Sequence, residues 1–292
     1  MKLPVQLRRS LLFVPAVRPD RYPKALKTGA DAVCVDLEDG VGPSSKEVGR
    51  KAALGLFAER TSIRTEVSLR INAASTDLGR RDLDTLVSFL GRDDYAGTRP
   101  DALVLPKVSE PDEVRAIELI LRSLTQGHFP LIIQIETARG VDAAMEIGAA
   151  SENVSALLFG AIDLAAEIGC AVEWDALLYS RSKVVLAAAA AGISAIDAPY
   201  MDVAALEALG DESRRSRRLG FVGKVAIHPR QVPVIQDSFS PTDEEVAWAR
   251  KVVAAYESQK GGVFLLDGKL IERPVFLAAQ RTLQTGQVDG GD

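Results

Sequence analysis

Cysteine and histidine are scarce: the 292-residue chain carries two of each. Cys34 and Cys170 stand far apart, with neither zinc-ligand spacing nor a disulfide framework, so a stapled secreted fold and a soft-metal site are excluded and a reducing compartment is expected. No serine sits in a strand-to-helix elbow, and no Ser-His-Asp logic emerges around His128 or His228. Glycine-rich phosphate fingerprints are absent, neither G-x-x-x-x-G-K-[ST] nor a strand-linked G-x-G-x-x-G, which argues against nucleotide hydrolysis and hydride transfer. No apolar run reaches the ~20 residues that span a bilayer. The longest candidate, VVLAAAAAGI, reads as a buried helix end, and MKLPVQLRRS lacks the small-residue cleavage site of a signal peptide, so a cytoplasmic protein without a membrane partner is expected. The net charge of −5 argues against general nucleic-acid binding and for a small-molecule partner.

What is present is a rhythm. SLLFVP ending at Pro15, AVCVDLED at Asp39, EVSLRIN at Asn72, ALVLPK at Lys107, LIIQIET at Thr137, ALLFG at Gly160, SAIDAP at Pro199 and GKVAIHP at Pro229 are short apolar runs with polar or turn-forming ends. Each is followed by a helix-like stretch, and the period of roughly thirty residues predicts an α/β chain folded as a (β/α)8 TIM barrel. With 47% hydrophobic residues the chain can bury the large core such a barrel needs. SSKEVGRKAALGLFAER, EPDEVRAIELILRSL and TDEEVAWARKVVAAYE space apolar residues three and four apart, and several open on Ser, Thr or Asp with acidic first-turn residues. Residues 1–261 are therefore read as the barrel and 262–292 as a C-terminal extension, with a hairpin turning at Asp267-Gly268 and then a helix. That extension is expected to cover the mouth, to reach a neighbouring subunit, or simply to plug the surface.

A barrel gathers its strand ends on one face. Glu136 ends the fifth run and Asp163 lies just past the sixth, so both carboxylates point at the mouth as a hard oxygen pair suited to Mg2+. Equally, Glu136 can pair with a strand-end base and Asp163 can cap the next helix. Arg70 in LRIN can hold a carboxylate or enolate oxygen through paired hydrogen bonds, or can partner Glu38 or Asp39; Asn72 follows on the same side. The run Asp36 to Asp39 crowds three carboxylates into four residues, which should raise one pKa unless a cation compensates; it reads as proton-transfer machinery or a structural ion-pair network. Lys107 supplies either a Schiff-base amine or positive charge. Arg18, Arg21 and Lys24 form a cationic cluster after the first strand, fit for the phosphates of an acyl carrier or merely a solvated helix start. His128 falls on the opposite face, while His228 tops strand eight as a substrate contact or a cap.

Taken in order, RRSLLFVP, GADAVCVDLEDGV, LRIN, LPK, IET, FGAIDL, AIDAPY and GKVAIHPRQ resemble the citrate lyase beta subunit-like family of Mg2+-dependent carbon–carbon lyases. This branch of the phosphoenolpyruvate-binding barrel superfamily includes malyl-CoA and citramalyl-CoA lyases, and the likeness runs over roughly residues 8–280. The resemblance implies that Glu136 and Asp163 hold Mg2+, that Arg70 grips the 2-oxo acid portion, and that Glu38 and Asp39 organise Arg70 and metal-bound waters. It implies an acyl carrier across the mouth, near Arg18, Arg21 and Lys24, and a homo-oligomer, a trimer or a hexamer made of two trimers.

Two departures stand out. Where related lyases carry a D/S-G-x-M-I-D-type motif whose aspartate enters the neighbouring subunit's site as a proton carrier, this chain reads DGKLIERP and offers Glu272. Ala16 replaces a glycine common after the first strand, which is expected to crowd the carrier entrance. The expected activity is cleavage of a 3-hydroxy acyl-CoA thioester such as citramalyl-CoA, malyl-CoA or a citryl thioester, giving acetyl-CoA and a 2-oxo acid. The alternatives are an aldolase on free 2-oxo acids, a malyl-CoA thioesterase, or a non-catalytic acyl-carrier-binding subunit of a citrate lyase complex.

Overall fold

Each apolar run becomes one strand of a closed parallel barrel. The computed structural model describes residues 7–58, 65–91, 99–125, 128–259 and 261–287. The strands are β1 (Ser10–Pro15), β2 (Ala32–Asp36), β3 (Glu66–Arg70), β4 (Ala102–Leu105), β5 (Leu131–Ile135), β6 (Val154–Phe159), β7 (Ser194–Asp197) and β8 (Gly223–Ala226). They pair in sequence order, and β8 closes on β1 through Ser10 opposite Lys224. Six of the eight barrel strands are buried at every position and β1 and β6 nearly so, which is why the runs read as largely apolar rather than alternating.

Alternation nevertheless sorts the side chains. Leu11, Cys34, Val104, Ile132, Ala156, Leu158, Ile196 and Val225 fill the barrel interior. Two residues further along the same inward rows stand Asp36 after Cys34 and Gln134 after Ile132, so the interior turns polar at its C-terminal end. The opposite rows face the helices, which start where their caps dictate. Thr76 accepts from the Gly79 N–H to open the helix Asp77–Leu90. Thr242 and Glu245 form a capping box on the helix Asp243–Ser258. The helix Trp174–Ala191 ends at Gly192, left-handed at φ +69°, but its VVLAAAAA end is not wholly buried as expected: Val184, Ala187 and Ala188 are buried, while Leu186, Ala189 and Ala190 are exposed. Among the described residues no helix is long and apolar enough to cross a membrane.

The chain divides into two compact units, residues 1–236 and 237–292. The division falls earlier than the 261/262 boundary expected from sequence, because the helix Asp243–Ser258 gives its buried side to the hairpin and the last helix. Ala249 and Val252 pack with Ile271 and Ala279, and Tyr256 stacks on Phe276 at 4.4 Å. The hairpin of β9 (Phe264–Leu266) and β10 (Lys269–Ile271) turns on Asp267 and Gly268, both at positive φ, as a two-residue Asp-Gly turn requires.

On the helix-facing side of the barrel, Asp197 at the end of β7 is fully buried among Lys224 Nζ at 2.8 Å, Arg181 Nε at 3.0 Å and the Ser216 hydroxyl at 2.5 Å. Burial opposes its charge, but Lys224 and Arg181 outweigh that and hold the carboxyl down at about 2. The stabilisation is thus complete above the ordinary value of 3.8 and is lost as pH falls through about 2. Asp197→Asn leaves buried Arg181 without its carboxylate partner and Lys224 with Glu212 alone, at 2.8 Å, and is expected to destabilise the protein by about 3–5 kcal/mol. Urea unfolding at neutral pH checks this, and the gap to the unsubstituted protein should narrow in strong acid.

Candidate active site

The polar ends of the inward rows converge on a cavity of about 730 Å³ at the C-terminal face of the barrel. Its organising contact joins adjacent strand ends: Arg70 Nε and Nη2 donate to the two oxygens of Asp36 at 2.7 and 2.8 Å, both side chains being buried. The guanidinium lies 4.7 Å from the Phe13 ring centroid, and its Nη1 stands 2.8 Å from Glu38 Oε2 in an ion contact without hydrogen-bond alignment. Burial alone would lower the Arg70 pKa, but Asp36 and Glu38 more than reverse this. Asp36 also accepts from the N–H groups of Glu38 and Gly40 at 2.9 Å each, so the turn after β2 wraps around the carboxylate. A Cβ on Gly40 would stand 2.6 Å from Asp36 Oδ2, so that turn needs glycine.

The second half of the site is acidic. Glu136, 1% exposed, accepts from the Lys107 backbone N–H at 2.8 Å and from the Gln134 amide, whose oxygen faces Arg70 Nη1 at 3.5 Å. Gly160 makes room for it, since a Cβ there would lie 2.4 Å from that of Glu136. Burial first, then the charges of Asp163 and Glu38, push the Glu136 carboxyl up to about 8. Lys107, at φ +56°, points its ammonium at Glu38 Oε1 (2.7 Å) and Asp163 Oδ1 (3.4 Å). Glu38 is likewise raised, by burial that Arg70 and Lys107 only partly offset.

These contacts separate the readings left open by the sequence. Asp163 lies in the first turn of the helix Ala161–Ile168, whose N-cap, Gly160, has no side-chain cap bond, so the capping role is not seen. The hydrogen bonds of Glu136 come from a backbone N–H and an amide rather than a strand-end base. A buried carboxylate with a second one beside it is the donor set whose repulsion a divalent cation relieves. Among the described residues no group of three or more acidic, histidine or cysteine side chains is arranged for a metal, so a cation here would keep most positions for water and ligand oxygens, as Mg2+ does. The Lys107 ammonium is paired with Glu38 and Asp163, and Glu38 more than reverses the lowering that burial would cause, which fits a source of positive charge rather than a Schiff-base amine.

Other expectations change in detail. The Arg70 fork assigned to a substrate carboxylate is taken by Asp36, and Nη1 faces Glu38 and Gln134, so what the guanidinium offers a ligand is chiefly its charge. Asp39 is exposed, and its carboxylate stands 4.0 Å from Arg70 Nη1. Arg18, Arg21 and Lys24 all line the cavity rim, but Arg18 is paired twice with Asp20 at 2.9 Å, which removes one charge from the cationic cluster. Ala16 is fully buried, donates to the Asp36 carbonyl and is not among the lining residues, so it does not crowd the entrance. His228 lines the cavity and accepts from the Arg230 N–H through Nδ1, while His128 is exposed ahead of β5. Glu272 is exposed in the second unit. Gln134 was missed, although its place two residues before Glu136 on an inward row marks it as facing the mouth.

With this geometry in hand, the comparisons with known proteins are specific. Residues 9–229 match the family model described as HpcH/HpaI aldolase/citrate lyase. The citrate lyase subunit beta-like protein of Mycobacterium tuberculosis is 37% identical over 282 residues, covering 94% of this chain and 93% of the relative. Human mitochondrial citramalyl-CoA lyase is 32% identical, covering 94% of this chain and 84% of the relative. The structure of the protein CitE from Mycobacterium tuberculosis in complex with magnesium, acetoacetate and coenzyme A is 34% identical, superposes with a TM-score of 0.77, and covers 96% of this chain and 98% of that one. The barrel, the paired mouth carboxylates and these likenesses agree: the chain belongs to the HpcH/HpaI aldolase/citrate lyase family.

Proposed function

We propose that the protein is a Mg2+-dependent carbon–carbon lyase that cleaves a 3-hydroxy acyl-CoA thioester to acetyl-CoA and a 2-oxo acid. The observation that carries this reading is Glu136, buried beside a second carboxylate at the mouth of the barrel with its proton affinity raised to about 8. Its relatives include proteins named citramalyl-CoA lyase and L-malyl-CoA/beta-methylmalyl-CoA lyase, and the magnesium, acetoacetate and coenzyme A complex supports the same chemistry. Glu136 and Asp163 hold the cation, which when bound supplies Lewis-acid polarisation of the substrate's carboxylate and hydroxyl oxygens.

The residues of the chain do the rest. Arg70, fixed by Asp36, and Lys107, fixed by Glu38, place two positive charges where the acid portion of the substrate lies. A carboxylate of the mouth takes the hydroxyl proton, the carbon–carbon bond breaks to leave a carbonyl on the acid fragment, and the electron pair passes to the thioester fragment as an enolate. That enolate takes a proton from Glu272 of a neighbouring subunit, which makes a trimer or hexamer part of the proposal. Arg21 and Lys24 at the rim receive the phosphates of the carrier, with Arg18 held by Asp20. Two thinly spaced cysteines fit a cytoplasmic setting.

Turnover of malyl-CoA, citramalyl-CoA and citryl-CoA, followed by mass spectrometry, is expected to yield acetyl-CoA and one 2-oxo acid only when Mg2+ is present. Glu136→Gln and Asp163→Asn are each expected to lower kcat by at least about 10²-fold, the scale of losing one group that stabilises developing charge. Release of free CoA with the intact hydroxy acid would identify a thioesterase instead, and cleavage restricted to free acids an aldolase.

The raised carboxyl also sets a pH dependence. Protonation of Glu136 favours the metal-free fold at low pH, an advantage lost as pH rises from 4.5 through about 8, and the cation must displace that proton. Mg2+ affinity measured by isothermal titration is therefore expected to strengthen as pH rises through about 8 and then level off. An affinity independent of pH across that range contradicts the assignment of Glu136.

A further inference from the structure

One buried cation faces away from the cavity and has no part in the chemistry proposed for the mouth. Lys46 is the first residue of the helix Lys46–Ala58 and is only 8% exposed. A lysine there is doubly unfavourable, because burial strips its hydration and the positive end of the helix dipole repels it. Burial lowers its proton affinity, while Asp36, Asp82 and Glu38 pull in the opposite direction. What holds it is a full set of acceptors: the ammonium donates to the Leu37 carbonyl at 2.8 Å, the Glu38 carbonyl at 2.7 Å and Asn72 Oδ1 at 2.6 Å. Its three protons are thus spent on the turn that carries the acidic residues and on the end of the next strand.

The acceptors are themselves fixed. Asn72 can present only its oxygen to Lys46, because its Nδ2 donates to the Leu37 carbonyl and to Asp82, and Asp82 is in turn held by Arg50 Nε at 2.7 Å. The Asn72 backbone N–H also donates to Asp82 at 2.8 Å. From the inside, Asp36 binds the N–H groups of Glu38 and Gly40, and the Leu37 N–H donates to the Arg70 carbonyl at 2.9 Å. The turn is therefore gripped from both sides: its N–H groups by Asp36 and the Arg70 carbonyl, its carbonyls by Lys46.

We propose that Lys46 is a positioning residue of the active site, fixing the Leu37–Glu38 backbone so that the Glu38 carboxylate meets Lys107 and Arg70. This rests on the lyase reading for its consequence in turnover, though the geometry stands without it. Removing the ammonium leaves the Leu37 carbonyl to Asn72 Nδ2 and the Glu38 carbonyl to the Val41 N–H alone, and it cuts the link from the turn to Asn72 Oδ1, so the turn loses the one group that ties these three acceptors together and Glu38 shifts with it.

The test uses the full-length protein with Lys46→Met, Lys46→Arg, Glu38→Gln and the double variants, reading two quantities. Amide hydrogen exchange of residues 37–40, by mass spectrometry, is expected to be slow in the unsubstituted protein and at least about tenfold faster in Lys46→Met, with β5 and β6 unchanged. In turnover, kcat is expected to fall by about 10²-fold, the scale of an ångström-sized misplacement, with KM changed far less. In the Glu38→Gln background the same substitution should cost less than about threefold, because both changes act through one carboxylate.

Lys46→Arg keeps the charge but not the three-acceptor geometry; it serves if the methionine variant fails to fold, with the same outcomes expected. Unchanged exchange at 37–40 overturns the proposal. So does faster exchange with full kcat, or an equal loss of kcat in both backgrounds, either of which leaves Lys46 a packing element. If the unsubstituted protein cleaves no thioester, it is the lyase reading that fails, and the exchange measurement still decides whether Lys46 holds the turn.

Discussion

The two-point ion pair between Asp36 and Arg70 is the contact from which the rest of the site is built. It joins the ends of β2 and β3 inside the barrel, where neither charge has bulk water to stabilise it. An isolated buried arginine or aspartate would cost several kcal/mol, so each requires the other, and the turn after β2 must close around the carboxylate that remains. That one pairing determines where Glu38 can sit, and Glu38 determines where Lys107 points.

The mouth has an excess of negative charge. Asp36, Glu38, Glu136 and Asp163 are opposed by Arg70 and Lys107; burial raises the proton affinities of Glu136 and Glu38, with the charges of Asp163 and Glu38 adding to it at Glu136 and the two cations only partly offsetting it at Glu38. A site in this condition binds either protons or a cation. The arrangement also keeps roles apart: the two cationic residues are locked by Asp36 and Glu38, while Glu136 is oriented by a backbone N–H and an amide that bring no compensating charge. Glu136 therefore keeps its demand for a cation.

The same barrel holds a second buried ion cluster of opposite character. Around Asp197, cations outweigh burial and the carboxyl is held at about 2, so its charge is satisfied within the protein. The contrast is one of position. Asp197 looks toward the helices, where Lys224, Arg181 and Ser216 close over it, whereas Glu136 looks into the cavity. A carboxylate neutralised by its surroundings stabilises the fold; one left unneutralised at a strand end is available for chemistry.

The barrel was legible in the sequence because strands buried on both faces are mostly apolar, and eight such runs at regular spacing leave few other architectures. Strand alternation also placed Arg70 and Glu136 at the mouth, since inward and outward rows are set by a period of two. Sequence could not distribute the ion pairs: it offered Arg70 either Glu38 or Asp39, whereas the fork is held by Asp36, Glu38 stands at 2.8 Å and Asp39 is exposed. Nor could it show that Asp20 occupies Arg18, or that the helix Asp243–Ser258 sides with the hairpin rather than with the barrel. Periodicity and polarity, properties of neighbours along the chain, thus determined the architecture and the face that carries the site. Which charges pair, and so which remain available, was decided only by tertiary structure, because Coulomb energy and burial depend on distances that the order of residues does not contain.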